Sequence, residues 1–175
     1  MRVEQLTDRI YTYKLSFDKT DTEYSLCRWA TYIFNKDTGN MQIYSDAGNF
    51  EYHWGITGND DFMKFIGKIS KEYLINKLSA QSIFNVSKTK KYLIDNINNI
   101  DYGINDEAQI SSVIYSINSI SEMLNVNEFI SEVERILPDI NVNVIKIHYD
   151  YSHGAEIVVD YFIKYIQPVI KNEFE

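Results

Sequence analysis

Ile43-Tyr-Ser-Asp-Ala-Gly-Asn-Phe-Glu-Tyr-His-Trp-Gly55 is the stretch whose pattern sets the architecture of this chain. Two strand-like halves, Met41 to Asp46 and Asn49 to Trp54, flank Ala47-Gly48, and Gly48-Asn49 offers the positive-φ residues of a tight turn. Strand side chains alternate between faces, so Phe50, Tyr52 and Trp54 share one side while Asn49, Glu51 and His53 share the other. A hairpin with one aromatic face needs a cover. The chain supplies one directly. At Asn59-Asp60-Asp61 the period changes, with Asn59 or Asp60 as cap, and Phe62, Met63, Phe65, Ile66 and Ile69 recur at helical spacing. A break near Ser70 leads into a second short helix, Lys71 to Leu78, with Tyr73, Leu74 and Leu78 on its apolar side.

Upstream, residues 9–17 alternate with Tyr11, Tyr13, Leu15 and Phe17 on one face, which predicts a half-buried strand. Asp18 to Glu23 is a polar turn. Tyr24 to Asn35 carries bulky groups on both faces and is expected as the longest and most central strand. Asn35 to Asn40 closes the next hairpin, with Gly39 at a left-handed position. About four antiparallel strands result.

Downstream, residues 80–87 read as an extended connector and Lys88 to Ile100 as a helix with Tyr92, Leu93, Ile97 and Ile100 inward. Asn105-Asp106 caps a longer helix through Leu124, whose stripe is Ile110, Val113, Ile114, Ile117, Ile120, Met123 and Leu124. Asn127 to Leu137 is a further helix, closed by Pro138. Val142, Val144, Ile147 and Tyr149 predict a short strand or extended arm. Ser152 caps a last helix to about Phe174, interrupted or kinked at Pro168. The fold class is therefore α+β: an N-terminal antiparallel sheet of about four strands covered by C-terminal helices. Residues 1–175 are expected to form one domain, mainly β over 1–58 and mainly helical over 59–175.

A hydrophobic fraction of 45% and an aromatic fraction of 14% are ample for a packed core. No apolar run approaches the roughly 20 residues of a membrane span, and Met1-Arg-Val-Glu-Gln lacks the apolar segment of a signal peptide. Cys27 is the single cysteine, so neither a disulfide framework nor a cysteine zinc cluster is available. A reduced, cytoplasmic protein without a membrane partner is the expectation. The net charge of −8 is uneven: residues 1–100 hold 13 Lys/Arg and 12 Asp/Glu, whereas residues 101–175 hold 4 and 13. Such a field repels free nucleic acid and attracts basic protein surfaces, and it also serves ordinary solubility.

No phosphate loop, dinucleotide fingerprint or nucleophile elbow occurs. His53 with Glu51 and Asp46 is the first set to test for acid–base cleavage of RNA, against the simpler reading of a polar strand face and an Asp46 turn. His148, Asp150 and His153 lie close in sequence but follow no metal-binding spacing, so no metal or other cofactor is expected. Lys64, Lys68 and Lys71, with Lys88, Lys90 and Lys91, form the candidate nucleic-acid contacts near several tyrosines, or else solvated helix faces. Glu128, Glu132, Glu134, Asp150, Glu156 and Asp160 are the candidate contacts to a basic protein.

Tyr44-Ser-Asp-Ala-Gly-Asn-Phe-Glu-Tyr-His-Trp-Gly55, then Asp61-Phe-Met-Lys-Phe-Ile66 and Glu72-Tyr-Leu-Ile-Asn-Lys-Leu78, resemble a group of small phage and prophage proteins. Their pattern runs SD-x-G-N-x-x-Y-x-W-G, FL-x-FL and D-Y-L-x-x-K-L. Here Glu72 replaces the usual Asp and Phe62-Met63 the first Phe-Leu. The ending Tyr161-Phe-Ile-Lys-Tyr-Ile-Gln-Pro-Val-Ile170 is similar to the group's terminal helix. The resemblance covers residues 24–78 and, less closely, 150–172. It implies a phage-encoded anti-defence protein, with a type II CRISPR effector nuclease or its guide RNA as partner. The alternatives are a ribonuclease-like enzyme that trims guide RNA and a phage structural or regulatory accessory protein that forms a homodimer through its terminal helix. No catalytic residue carries over, because the matched positions are mainly turn and core residues.

Overall fold

The computed structural model describes residues 9–55, 61–97 and 106–175. The chain divides into two compact units: Met1–Gln81 with Tyr151–Glu175, and Ser82–Asp150, which interrupts the first in sequence. The change from strand to helix after residue 58 therefore falls inside the first unit.

In that unit, β1 (Ile10–Ser16), β2 (Trp29–Asn35), β3 (Asn40–Ser45) and β4 (Gly48–His53) form an antiparallel meander in the order β1-β2-β3-β4. The quoted stretch forms the β3–β4 hairpin. Ser45 pairs with Gly48, Ile43 with Phe50 and Met41 with Tyr52, which places Asp46-Ala47 at the turn. Gly48 has φ 135° and Gly39 φ 63°, whereas no residue other than glycine among those described has positive φ. Asn49 thus belongs to the strand and not to the turn.

The expected long strand from Tyr24 is shorter. Thr22–Ser25 is a turn of 3-10 helix, and the strand begins only at Trp29. Cys27 is buried at this corner, and Tyr161, Lys164 and Tyr165 hold Glu23 in the turn that precedes it. Nor is β2 covered on both sides. Ala30, Tyr32 and Phe34 are fully buried, while Trp29 stays 39% exposed on the opposite face. That outer face also carries Lys14, Thr31, Tyr44, Asn49, Glu51 and His53, aligned by strand register.

The inner face is covered by α1 (Asp61–Ile66), α2 (Lys71–Leu78) and the C-terminal helical run. Phe62, Met63, Ile66 and Leu74 are fully buried against Met41 and Ile43, and Trp54 contacts Phe62 and Phe65 edge-on or tilted. Ser70 caps α2 by accepting the Tyr73 N–H. The expected Asn59/Asp60 cap lies outside the described residues.

After α3 (Val86–Asp95), α4 (Glu107–Ser119) and α5 (Val126–Ile136) of the inserted unit, the terminal run is α6 (His153–Tyr161), a π-helical turn at Phe162–Ile166 and α7 (Gln167–Phe174). Ser152 caps its start by accepting from Ala155 N–H. The interruption expected at Pro168 is this wider turn, which precedes it. Proline provides no N–H and its ring crowds the preceding carbonyls, so a regular α ladder cannot pass through it. Tyr32 donates to the Val158 carbonyl at 2.8 Å, and Phe162 packs on Tyr32 and Phe34. The buried Gln167 side chain donates to the Ile66 and Ile69 carbonyls, satisfying the end of α1. Gly154 meets the β3–β4 turn so closely that a Cβ there would lie 2.0 Å from the Ala47 oxygen.

In the inserted unit, β5 (Ile83–Phe84) pairs with β6 (Tyr149–Asp150), and between them lie α3 (Val86–Asp95), α4 (Glu107–Ser119) and α5 (Val126–Ile136). Leu93, Ile97, Ile117, Ile120, Phe129 and Val133 make its core. Asp106 caps α4 by accepting the Ala108 N–H, and Asn125 with Glu128 forms a complete capping box for α5. Three boundaries differ from expectation. The helix read as starting at Lys88 begins at Val86 and ends at Asp95. The helix read through Leu124 stops at Ser119, leaving Met123 93% exposed instead of inward. Val142–Val144 is a 3-10 turn and not a strand, with Asn141 accepting the Asn143 N–H.

Candidate functional site

The three hairpin residues are not gathered into one site. Glu51 and His53 lie on the exposed face of β4, and their side chains make no hydrogen bond or ion pair among the described residues. Asp46 turns toward β2 instead. It accepts from the Arg28 N–H at 2.9 Å and Trp29 N–H at 3.4 Å, and pairs with the Arg28 guanidinium at 2.6 Å. Burial opposes its charge, but hydrogen bonding with the Cys27 thiol, the Arg28 guanidinium and these backbone N–H groups outweighs it. The carboxyl is held at about 2. Burial, then the adjacent Asp46 charge, pushes the Cys27 thiol up to about 11, so it stays protonated near neutrality.

A polar cluster around Glu23 in the first unit was not legible in sequence. Glu23 accepts from Lys164 Nζ at 2.7 Å, from Tyr165 Oη at 2.5 Å and from the Thr22 hydroxyl at 2.7 Å. Tyr161 donates to the Glu23 carbonyl at 3.0 Å. Lys164, Tyr165, Thr22 and the backbone together hold the Glu23 carboxyl at about 2, while burial raises the Tyr161 hydroxyl to about 12. The cluster ties the 3-10 turn to the π-helical turn across 141 positions of sequence. No local pattern announces such a contact.

Among the candidate basic residues, four of six are held by carboxylates. Lys68 pairs with Glu175 at 3.4 Å, Lys71 with Asp160 at 2.5 Å, Lys88 with Asp150 at 2.5 Å and Lys90 with Glu122 at 2.7 Å. Lys90 is itself buried, and its ammonium also donates to the Asn118 and Ile120 carbonyls at the end of α4. Lys64 and Lys91 are exposed, without a side-chain partner among the described residues. The two lysine triplets belong to different units.

Two of the candidate acidic residues, Asp150 and Asp160, are therefore partners of candidate lysines. Lys88, then Asn85, holds the Asp150 carboxyl below the usual range. Glu156 lies 3.9 Å from His153 Nδ1. Glu128, Glu132 and Glu134 all sit on α5. Glu128 Oε2 accepts the Asn125 N–H at 2.9 Å, and Glu132 Oε2 accepts from Arg135 at 2.7 Å. Glu134 is exposed and without a partner among the described residues. The segment 106–139 holds seven Asp/Glu against Arg135 as its one cation. Most of these carboxylates are exposed, and with Glu122 held by Lys90 and Glu132 by Arg135 the segment still presents a net acidic surface.

His148 and Asp150 belong to the inserted unit and His153 to the other. His148 Nε2 is buried without a hydrogen-bond partner, with the ring 5.7 Å from Tyr92. Among the described residues no group of three or more His, Cys, Asp or Glu side chains is placed to hold a metal ion. No helix among them is long and apolar enough to cross a membrane.

No curated protein and no solved structure matches the chain. A family model does: Phage_phiTE_072, described as a phage family, matches residues 1–172. That span takes in the sheet, the inserted helices and nearly all of the terminal run. The chain belongs to this phage family.

Proposed function

We propose that this phage protein is an anti-defence inhibitor that acts by binding. Its acidic α4–α5 surface covers the basic nucleic-acid channel of an RNA-guided type II CRISPR nuclease in the host cytoplasm. The observation that carries this reading is the charge of segment 106–139, seven carboxylates against one arginine. A net acidic surface steers toward basic partners and competes with the phosphates they normally hold. The pairing of Lys68, Lys71, Lys88 and Lys90 with carboxylates supports a protein contact over a contact to guide RNA. Target DNA cleavage by guide-loaded nucleases, with the guide RNA run on the same gel, tests it. Inhibition with intact guide is expected, weakening as salt rises. The double variant Glu132→Lys, Glu134→Lys should inhibit at least about tenfold less well. Undiminished inhibition by that variant, a shortened guide, or no inhibition of any nuclease tried would each defeat the proposal.

A further inference from the structure

The corner between α4 and α5 holds an open depression of about 530 Å³ lined by Ser121, Leu124, Asn127, Glu128, Ser131 and Glu132. Leu124 is its one apolar side chain and is half-buried, while the neighbouring Met123 stands 93% exposed. A methionine this exposed is an adaptable apolar contact that nothing among the described residues covers. Glu128 and Glu132 are four positions apart and so lie on one face of α5, where like charges repel by a few tenths of a kcal/mol. Each spends Oε2 inside the helix, on Asn125 and Arg135, and neither Oε1 has a donor among the described residues. Two carboxylates therefore line the depression beside Leu124, each with acceptor capacity to spare.

From this we infer that the depression is the docking site for a basic protein segment bearing an apolar anchor. Its arginine or lysine bridges Glu128 and Glu132 while an aliphatic side chain lies on Leu124 and Met123. The inference rests on the proposed binding function and names the chemistry of the partner's contact. Charge decides the occupant. A nucleic-acid strand would bring phosphates against carboxylates, and a second copy related by a two-fold axis would bring the same acidic surface, whose one cation in this segment already engages Glu132. A cation between the two glutamates removes their mutual repulsion and makes charge-assisted hydrogen bonds.

Fluorescence anisotropy of the full chain with labelled peptides of roughly 15 residues tests the site near physiological salt. The probes are an Arg/Leu amphipathic peptide, an Arg/Ser peptide without anchors and a Glu/Leu peptide. The Arg/Leu peptide should bind at least about tenfold tighter than either other. Met123→Ser and Glu132→Gln should each weaken it about fivefold or more. Met123 is so exposed that its replacement leaves folding intact. Equal binding of the Arg/Ser peptide would reduce the effect to general charge attraction, and unchanged affinity in Met123→Ser would remove the groove; either result overturns the inference. Selective peptide binding without nuclease inhibition would keep the site and discard the nuclease as target. Nuclease inhibition untouched by both variants would keep the target and discard the site.

Discussion

Replacing Gly154 by alanine puts the packing of α6 against the β3–β4 turn to a direct test. Helix propensity alone favours alanine over glycine by about 1 kcal/mol within a helix. The structure reverses that sign. A Cβ at this position would lie 2.0 Å from the Ala47 carbonyl oxygen and 3.1 Å from its carbon. Relaxed carbon–oxygen contacts sit near roughly 3.3 Å, so a gap of more than about 1 Å must be opened between two backbones. Neither side yields cheaply, because the turn is fixed by Asp46 and Ser45, and α6 is anchored by Ala155 and Val158 in the core. Overpacking costs about 1–3 kcal/mol, and a clash between two backbones falls at the upper end, about 2–3 kcal/mol, leaving a net loss of about 1–2 kcal/mol after the propensity gain. For a chain of this length that lowers Tm by about 2–8 °C. Both tryptophans, Trp29 and Trp54, lie in the unit that contains Gly154, so urea denaturation followed by tryptophan fluorescence reports on that unit. Gly67→Ala is the control: its Cβ would meet only the flexible Lys171 side chain at 3.3 Å and, farther off, backbone oxygens at 3.5 Å. It should cost less than about 0.5 kcal/mol. A Gly154→Ala protein as stable as the parent would refute the close approach.

Tyr32→Phe removes the hydroxyl that donates to the buried Val158 carbonyl at 2.8 Å and should cost about 1–2 kcal/mol in the same urea experiment; an unchanged midpoint would contradict the bond. Lys90→Met leaves the Asn118 and Ile120 carbonyls without their buried donor and should destabilise the inserted unit by about 1.5–3 kcal/mol. Hydrogen exchange at α3 and α4 amides reads this out, and protection equal to that of the exposed-site control Lys68→Met would count against it. Glu23 is held at about 2 in the folded chain against a reference value of 4.5. A depressed carboxyl stabilises above the unfolded value and loses that contribution as pH falls through the folded one. Tm should therefore drop between pH 4.5 and about 2, and Glu23→Gln should flatten that acid limb; superimposable limbs would show that Glu23 contributes nothing to it.

What the sequence determined by itself was local. Alternation fixes which side chains of β1, β3 and β4 face inward, because the strand period is two and the aromatic face had to be buried. Capping chemistry at Ser70, Asp106 and Ser152 starts three helices where the side-chain oxygens can reach backbone N–H groups one turn on. Where local signals conflict with distant contacts, tertiary structure decided. Tyr24 to Cys27 looks like strand, yet Tyr161, Lys164 and Tyr165 draw Glu23 into a turn from the far end of the chain. Met123 fits the α4 stripe by period, but the helix has already ended at Ser119, where the Lys90 ammonium takes up the Asn118 and Ile120 carbonyls. The candidate site followed the same division. Residue types and spacing identified the lysines and carboxylates, whereas only folding could pair Lys71 with Asp160 and Lys88 with Asp150. An ion pair depends on distance in space, and spacing along a chain fixes that distance only within a helix or a hairpin. The acidic segment from Asp106 to Asp139 keeps its charge on view because the sequence places a single cation within it, and the fold exposes most of its carboxylates.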